Sequence, residues 1–230
     1  MRKVRRATKL FFIMKLIVIS PEDDDVREVP ALMAMLAAGL ERYHVRKPTW
    51  SREKLAAWLR ALPERWRSRL VLHQHHEFVD EFKLRGRHWR DDGTALLEMP
   101  EVSMAPFSQI DRMTPGIFSS RSCHDLTTLR ASLGRYDAVL LGPVFPSISK
   151  QGHGPNGDIC LNELYQLLRH RTVHQKHTEV IALGGLTAVT APRCRNFGFD
   201  GVAALGAIWK SPDPVRAFTE IQSALAYHAT

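Results

Sequence analysis

The chain lacks several features that would define its class at once. Its three cysteines are an odd number and form no C-x-x-C pair, so they indicate neither a disulfide framework nor a zinc knuckle. No stretch approaches the roughly 18 apolar residues of a membrane span. No G-x-G-x-x-G follows the first apolar run, which argues against an open dinucleotide-binding sheet. We therefore expect a protein of the reducing cytoplasm with no membrane partner.

The net charge of +8 is concentrated at the start of the chain. Without the basic residues that precede the first credible strand, the charge is +3, too small to indicate nucleic-acid binding; these residues are Arg2, Lys3, Arg5, Arg6 and Lys9. Residues 1–13 imitate a signal peptide, but Lys15 interrupts the apolar run and no small-residue cleavage pattern follows Ile19. We expect a disordered extension there, or a start assigned upstream of Met14.

Short apolar runs alternate with helical patterns along the chain. Strands are expected at Lys15–Ser20, Tyr43–Arg46, Arg69–Leu72, Gly86–His88, Gly116–Ser120, Ala138–Leu141, Val180–Leu183 and Gly201–Leu205. Helices are expected at Val26–Leu40, Ser51–Leu62, Glu77–Phe82, Leu126–Leu133, Leu161–Leu168, Ala188–Asn196 and Pro212–Tyr227, with an irregular excursion at Asp91–Pro115. This alternation predicts an α/β fold, a single-domain (β/α)8 TIM barrel over residues 14–230.

Barrel enzymes build their sites at the carboxyl ends of the strands. The residues expected there are rich in cations and hydroxyls and poor in carboxylates: His44, Arg46, Lys47, His73, Gln74, His75, Ser122, His124, Pro143, Ser147, Ser149, Lys150, Gly184, Gly185, Leu205 and Gly206. Arg46 and Lys150, with nearby hydroxyls, suit a pyrophosphate. Glycines after the last two strands suit a second, smaller phosphate. The pattern predicts small phosphorylated substrates.

At these residues the chain resembles the thiamine phosphate synthase/TenI family. Its G-P-V-F-x-T-x-T-K-x-G loop matches Gly142–Gly152, where Ser147 and Ser149 replace the two threonines and Lys150 is kept. Further likeness lies in Ile181–Leu186 and Asp200–Ile208.

A weaker match places Tyr43–Pro48 on the family's Q-L-R-E-K segment. Arg46 is kept, the glutamine has become His44 and the lysine has become Pro48, so Lys47 is expected to supply the charge. Ser122 falls on the serine of the family's S-x-H-S-L segment.

The resemblance implies a transferase that joins 4-amino-2-methyl-5-hydroxymethylpyrimidine diphosphate to a thiazole phosphate, giving thiamine monophosphate and pyrophosphate. On this interpretation Lys150, Arg46 and Ser122 are the catalytic residues. The implied substrate-binding residues are His44, Lys47, His73, Gln74, Ser147, Ser149, Gly185, Leu205 and Gly206. A homo-oligomer is an open alternative to a monomer.

Mg²⁺ is the expected cofactor, but the sequence differs from the family pattern at the segment that holds the metal. The family's N-D-R segment, whose aspartate holds the metal, aligns with His73, Gln74 and His75, and a neutral amide is a poor ligand for a hard dication. Asp91 or Asp92 could match the family's other metal-binding aspartate, and Asp92 is the candidate metal ligand. Either Mg²⁺ binds weakly through Asp92 and the phosphates, or added cations replace it, or the synthase activity has been lost.

Two alternatives follow from these departures. TenI-type members act as thiazole tautomerases, but the proton-transfer histidine of that branch is replaced here by Pro143. The second alternative is a non-catalytic binder of thiamine phosphates. It is considered because Gln74 replaces the aspartate that holds the metal in the family.

A zinc site at His73, His75 and His76 is not expected. Adjacent residues of an extended segment point to opposite faces, and the sequence shows no cysteine or distant third ligand that would complete such a site.

Overall fold

Eight parallel strands form a closed barrel in the order β1 to β8, and helices cover its outside. The computed structural model describes residues 14–91, 116–146 and 159–226. The strands are β1 Lys15–Ile19, β2 Arg42–Val45, β3 Leu70–Leu72, β4 Gly86–Trp89, β5 Phe118–Cys123, β6 Ala138–Leu141, β7 Glu179–Leu183 and β8 Gly201–Ala204. The predicted TIM barrel is confirmed, and each of its eight predicted strands overlaps an observed one.

The helices differ more from the predicted ones. They are α1 Glu28–Ala37, α2 Arg52–Ala61, α3 Glu64–Arg67, α4 Phe78–Glu81, α5 Leu126–Ser132, α6 Leu161–Arg169, α7 Gly206–Trp209 and α8 Pro214–Ala226, with 3₁₀ segments at Gln175–His177 and Ala191–Phe197. Ser51, the first residue of the predicted second helix, caps α2, because its hydroxyl accepts the Lys54 N–H at 3.2 Å. The predictions missed the short helices α3 and α7 and extended α1 at both ends. Gly39 follows α1 with a φ of +101°.

The alternation of side chains along the strands creates two cores. Residues pointing into the barrel form a small apolar cluster: Ile17, Ile19, Val71, Phe118, Ala138, Leu140, Ile181 and Ala203. Residues at the alternate strand positions, such as Val18, Tyr43 and Val139, point outward and pack with the helices in a much larger cluster. A shift of register by one residue would exchange these faces, so the burial pattern fixes the register.

Strand β5 extends beyond its predicted end, Ser120, to Cys123. Polar residues continue the strand because the Ser120 and Ser122 hydroxyls contact the imidazole of His88 on neighbouring β4, each at 2.9 Å. The hydrophobic pattern could not show this extension, since the pairing is polar.

A charge network lies at the amino end of the barrel. Glu179 of β7 accepts hydrogen bonds from both Lys15 and Arg42. Burial alone would raise the pKa of Glu179, but Arg42 and Lys15 outweigh it, and the pKa lies below its ordinary value of 4.5. The Arg42 side chain is only 6% exposed, so it depends on this carboxylate for compensation.

We predict that Glu179→Gln lowers the free energy of unfolding by about 2–3 kcal/mol. This loss is smaller than that expected on breaking a fully buried ion pair, because Glu179 is partly exposed. Urea unfolding at pH 7 measures it. The folded-state pKa is depressed, so the stabilisation is fully present above pH 4.5 and is lost as pH falls through the folded-state value.

The matched control is Glu220→Gln, which breaks the exposed ion pair of Glu220 with Arg216 on α8. It is expected to cost no more than about 0.5 kcal/mol. Equal losses in the two variants would contradict the role given to Glu179.

Candidate functional site

A cavity of about 490 Å³ opens at the carboxyl ends of the barrel strands. It is lined by Ile19, Glu22, Arg46, His73, Arg90, Asp91, Ser122, His124, Leu140, Gly142, Pro143, Leu183, Gly184, Gly185, Leu186, Ala203, Ala204, Leu205, Gly206 and Ala207. Its polar lining comes mainly from residues that follow β1 to β5, and its apolar lining mainly from β6 to β8. The cavity thus offers charged groups on one side and apolar contacts on the other.

Several predicted site residues meet at this cavity. Arg46, His73, Ser122, Gly185, Leu205 and Gly206 all line it. Arg46 is held from its backbone, because the Ser20 hydroxyl accepts its N–H at 2.8 Å and donates to its carbonyl at 3.0 Å. Its guanidinium forms an ion pair with Glu22. Binding of a diphosphate by Arg46 therefore competes with a carboxylate.

Lys47 lies behind the barrel wall and not at the cavity. Its ammonium is fully buried, contacts the Glu28 carboxylate at 2.6 Å and lies 4.6 Å from the Trp50 ring centroid. Burial raises the pKa of Glu28, although Lys47 and the Tyr43 hydroxyl oppose it. The expectation that Lys47 supplies charge to the substrate therefore does not fit the structure, which gives this lysine a place between β2 and α1.

His44 and Gln74 also lie away from the cavity surface. The Gln74 amide donates to the carbonyl of Lys47, and its oxygen is buried without a hydrogen-bond partner among the described residues. His44 is fully buried inside the barrel, where its Nδ1 lies 3.1 Å from Nε2 of His73. His73, in contrast, reaches the cavity.

The predicted loop residues Ser147, Ser149 and Lys150 lie outside the described residues, as does Asp92. Their roles stay predictions. The two glycines after β7 face Pro143 and the residues next to it on the loop after β6, so the described part of that loop does border the cavity.

Packing requires these two glycines. Gly184 and Gly185 have φ values of +95° and +62°. A Cβ on Gly184 would lie 2.8 Å from Cα of Pro143, and one on Gly185 would lie 2.5 Å from the carbonyl oxygen of Pro146. Their absence of a side chain lets the loops after β6 and β7 approach each other and leaves backbone exposed to the cavity.

Sequence reasoning missed two charged residues of the cavity, Glu22 and Arg90. Both follow strands, β1 and β4, that contributed no residue to the predicted set of strand-end residues. Applying the strand-end rule to all eight strands would have found them. It also missed His88 of β4, which lies beneath the cavity beside His73, with ring centroids 4.0 Å apart.

The expected magnesium ligand, Asp92, lies outside the described residues, whereas its neighbour Asp91, the other aspartate considered, lines the cavity. Glu22 and Asp91 are the carboxylates in the described lining of the cavity, and each is paired with an arginine. The Asp91 carboxylate lies 3.0 Å from the buried guanidinium of Arg121. These residues do not fit a dedicated Mg²⁺ site, since a hard dication needs carboxylate oxygens that are free to coordinate it.

The family model for thiamine monophosphate synthase, TMP-TENI, matches residues 16–208. The chain belongs to this family. The resemblance inferred from the loop after β6 and the glycines after β7 is thereby confirmed. No described helix is long and apolar enough to cross a bilayer.

Curated relatives carry the corresponding name. A thiamine-phosphate synthase of Anoxybacillus flavithermus is 32% identical over 91 residues, 39% of this chain and 39% of that protein. One from Bordetella avium is 28% identical over 204 residues, 85% of this chain and 87% of that protein. The match thus spans well under half of the Anoxybacillus protein but most of the Bordetella protein.

A solved structure shares the fold. The thiamine phosphate pyrophosphorylase of Bacteroides thetaiotaomicron superposes with a TM-score of 0.68 at 24% identity, covering 94% of this chain and 100% of that one. At this identity the likeness concerns the fold alone.

We predict that Gly184→Ala lowers the free energy of unfolding by about 2–3 kcal/mol, because the new methyl group adds a clash with Pro143 to the cost of a left-handed backbone. Thermal unfolding measures the change.

Gly116→Ala is the matched control. Gly116 has a similar φ of +94°, but no described residue lies within 4 Å of the position that an added methyl group would take. It is expected to lose only about 1 kcal/mol, the backbone cost alone. If both variants lose the same amount, the close approach of the two loops does not constrain Gly184.

Proposed function

We propose that the protein is a thiamine phosphate synthase-type transferase of thiamine biosynthesis. It would join 4-amino-2-methyl-5-hydroxymethylpyrimidine diphosphate to a thiazole phosphate and release pyrophosphate. The observation that carries the proposal is the meeting of Arg46, Ser122 and Gly185 at one cavity in a chain whose residues 16–208 match the family model. The names of the curated relatives support it.

The two sides of the cavity suit the two kinds of group in these substrates. Arg46 and Arg90 offer positive charge for diphosphate oxygens, and a guanidinium can bind two oxygens at once. Leu140, Leu183 and Ala203 offer an apolar surface for the carbon skeletons of the rings. Gly184 and Gly185 line the cavity, where backbone N–H groups would bind a phosphate.

The proposed reaction needs no protein nucleophile. The bond between the pyrimidine methylene carbon and the diphosphate oxygen breaks, and the electron pair leaves with pyrophosphate. The electron-rich pyrimidine stabilises the resulting cation, and the thiazole nitrogen then donates its electron pair to the methylene carbon. The contribution of the protein is to neutralise the leaving group and align both partners, which is the work that Arg46, Ser122 and the loop carrying Lys150 would perform.

Magnesium is implied by the family, and the described residues supply no free carboxylate for it at the cavity. We therefore assign no step to a metal held by the protein. Asp92 remains the proposed ligand if Mg²⁺ enters with the diphosphate.

The test is to mix purified protein with both substrates, with Mg²⁺ and separately with EDTA, and to measure thiamine monophosphate. Product formation is expected. Binding of both substrates without product would favour the non-catalytic binder, and isomerisation of a thiazole tautomer without condensation would favour the tautomerase, although Pro143 supplies no proton-transfer group to the cavity.

We predict that Arg46→Ala lowers kcat/KM by roughly 10- to 100-fold, the effect of losing charge-assisted hydrogen bonds worth about 1.5–3 kcal/mol. Lys150→Ala is expected to abolish turnover, chiefly through the lost pyrophosphate contact. Steady-state kinetics against the pyrimidine diphosphate measure both.

The control is Arg52→Ala, which removes an exposed arginine paired with Glu77 at 3.1 Å outside the cavity lining. It should leave kcat/KM unchanged. Unchanged kinetics in the Arg46 variant would remove this arginine from the site.

A further inference from the structure

Three histidines from neighbouring strands converge inside the barrel. His44 lies on β2, His73 follows β3 and His88 lies on β4, and they are 0%, 9% and 1% exposed. One ring nitrogen from each lies within 4.8 Å of the other two. Zinc was not expected at His73, His75 and His76 because these residues are neighbours in the chain and no distant ligand was evident. The structure brings two histidines from distant parts of the chain, His44 and His88, to His73.

Strand register explains this convergence. His44 pairs with Val71 of β3, two residues before His73, and Gly86, two residues before His88, pairs with the same Val71. Since residues two apart on a strand point to the same side, His73 and His88 both point into the barrel, as His44 does. The sheet therefore fixes His44 and His88, and it also holds His73, whose backbone N–H donates to the carbonyl of Val45 on β2 at 3.1 Å just beyond the end of β3.

The hydrogen bonds of the cluster are incomplete. Nδ1 of His44 lies 3.1 Å from Nε2 of His73, and the two nitrogens of His88 each contact a serine hydroxyl at 2.9 Å. Nε2 of His44 is buried with no hydrogen-bond partner among the described residues. A buried nitrogen in that state is unfavourable unless another group occupies its lone pair or accepts its proton.

We propose that His44, His73 and His88 bind a divalent transition metal such as Zn²⁺, with a coordination position open to the cavity at His73. Three imidazoles form a donor set that zinc prefers, whereas Mg²⁺ prefers oxygen ligands. His73 lines the cavity, so a ligand from solvent or substrate reaches the metal from that side. This proposal does not depend on the proposed function.

The protonation state of the cluster agrees with ligation. Burial, reinforced by the neighbouring histidines and arginines, holds the pKa values of His44 and His73 well below 6.5 and lowers the pKa of His88 to about 3. All three rings are neutral at physiological pH, and the neutral ring is the form that binds a metal.

Ligation requires a modest rearrangement. The rings of His73 and His88 are stacked at an interplanar angle of 26°, so one of them must turn for both lone pairs to meet one ion. In a tetrahedral site with Zn–N bonds of about 2.0–2.1 Å, ligand nitrogens lie roughly 3.3 Å apart. If Nε2 of His88 turns away from Ser122 toward the metal, Ser120 can still orient the ring through Nδ1, as a supporting hydrogen bond commonly does for a metal-bound histidine.

The experiment uses the full chain without a histidine tag, treated with a chelator and then titrated with Zn²⁺ by calorimetry and with Co²⁺ by visible absorption. We expect one ion per chain and a spectrum of tetrahedral or five-coordinate Co²⁺. His73→Gln and His88→Gln should each weaken binding by more than about 100-fold, because losing even a supporting partner of a ligand costs about 10- to 100-fold.

The control addresses two histidines outside the cluster, because the chain has 11 histidines in all. His174 and His177 lie outside the barrel with ring centroids 6.4 Å apart, and their double substitution by Gln should leave binding unchanged. Loss of binding in that variant, or retention in the His73 and His88 variants, would overturn the proposal.

A measurement on the unaltered protein covers the case in which the buried variants fail to fold. X-ray absorption at the zinc edge should show three imidazole nitrogens. Absence of stoichiometric binding, or a site with fewer than three imidazoles, would overturn the proposal.

Discussion

The alternation of side chains along eight closed parallel strands is the constraint on which the rest of the structure depends. Closure leaves each strand with one face toward the barrel interior and one toward the helices. Apolar residues such as Ile17, Val71 and Ile181 fill the interior, while Val18 and Val139 hold the helices in place. Odd and even positions of a strand point to opposite faces. A residue's position therefore decides whether its side chain packs inside the barrel or against the helices, and it also decides which polar residues reach the cavity.

Arg46 and Lys47 show this effect most clearly. Tyr43, Val45 and Lys47 share the face toward α1, whereas His44 and Arg46 share the face toward the barrel axis and its mouth. Comparison with the family motif places Lys47 at the substrate because this lysine supplies the expected positive charge. In the structure Lys47 lies on the outward face and pairs with the buried carboxylate of Glu28. A difference of one position in the motif therefore places the lysine in the core and not at the substrate.

The sequence was sufficient to predict the fold because the information that determines it is local. Apolar runs, caps such as Ser51 and the glycines after β7 each carry their own physical signal. Helix ends were predicted less well, since tertiary packing decides where a helix such as α1 stops. The end of β5 was missed because polar contacts between Ser120, Ser122 and His88 hold it.

The candidate site could be predicted only in part, for a different reason. Arg46 and Gly185 follow strands and Ser122 lies at the end of β5, so the strand-end rule places all three at the cavity. The rule says nothing about ion pairs formed between neighbouring strands, such as Arg46 with Glu22 or Asp91 with Arg121. These pairs change the chemistry, because they leave the described cavity residues with partnered carboxylates where a magnesium ligand was expected.

The histidine cluster follows from the same geometry. In a barrel of this kind the interior below the cavity needs residues that fill volume, and apolar side chains do so at least cost. Here β2, β3 and β4 instead place imidazoles there, whose burial forces them to be neutral and leaves one nitrogen of His44 without a partner among the described residues. A polar group in a core is maintained at a cost in stability unless something satisfies it. A metal ion would satisfy it and would also add positive charge under the side of the cavity where Arg46 and Arg90 already favour an anion.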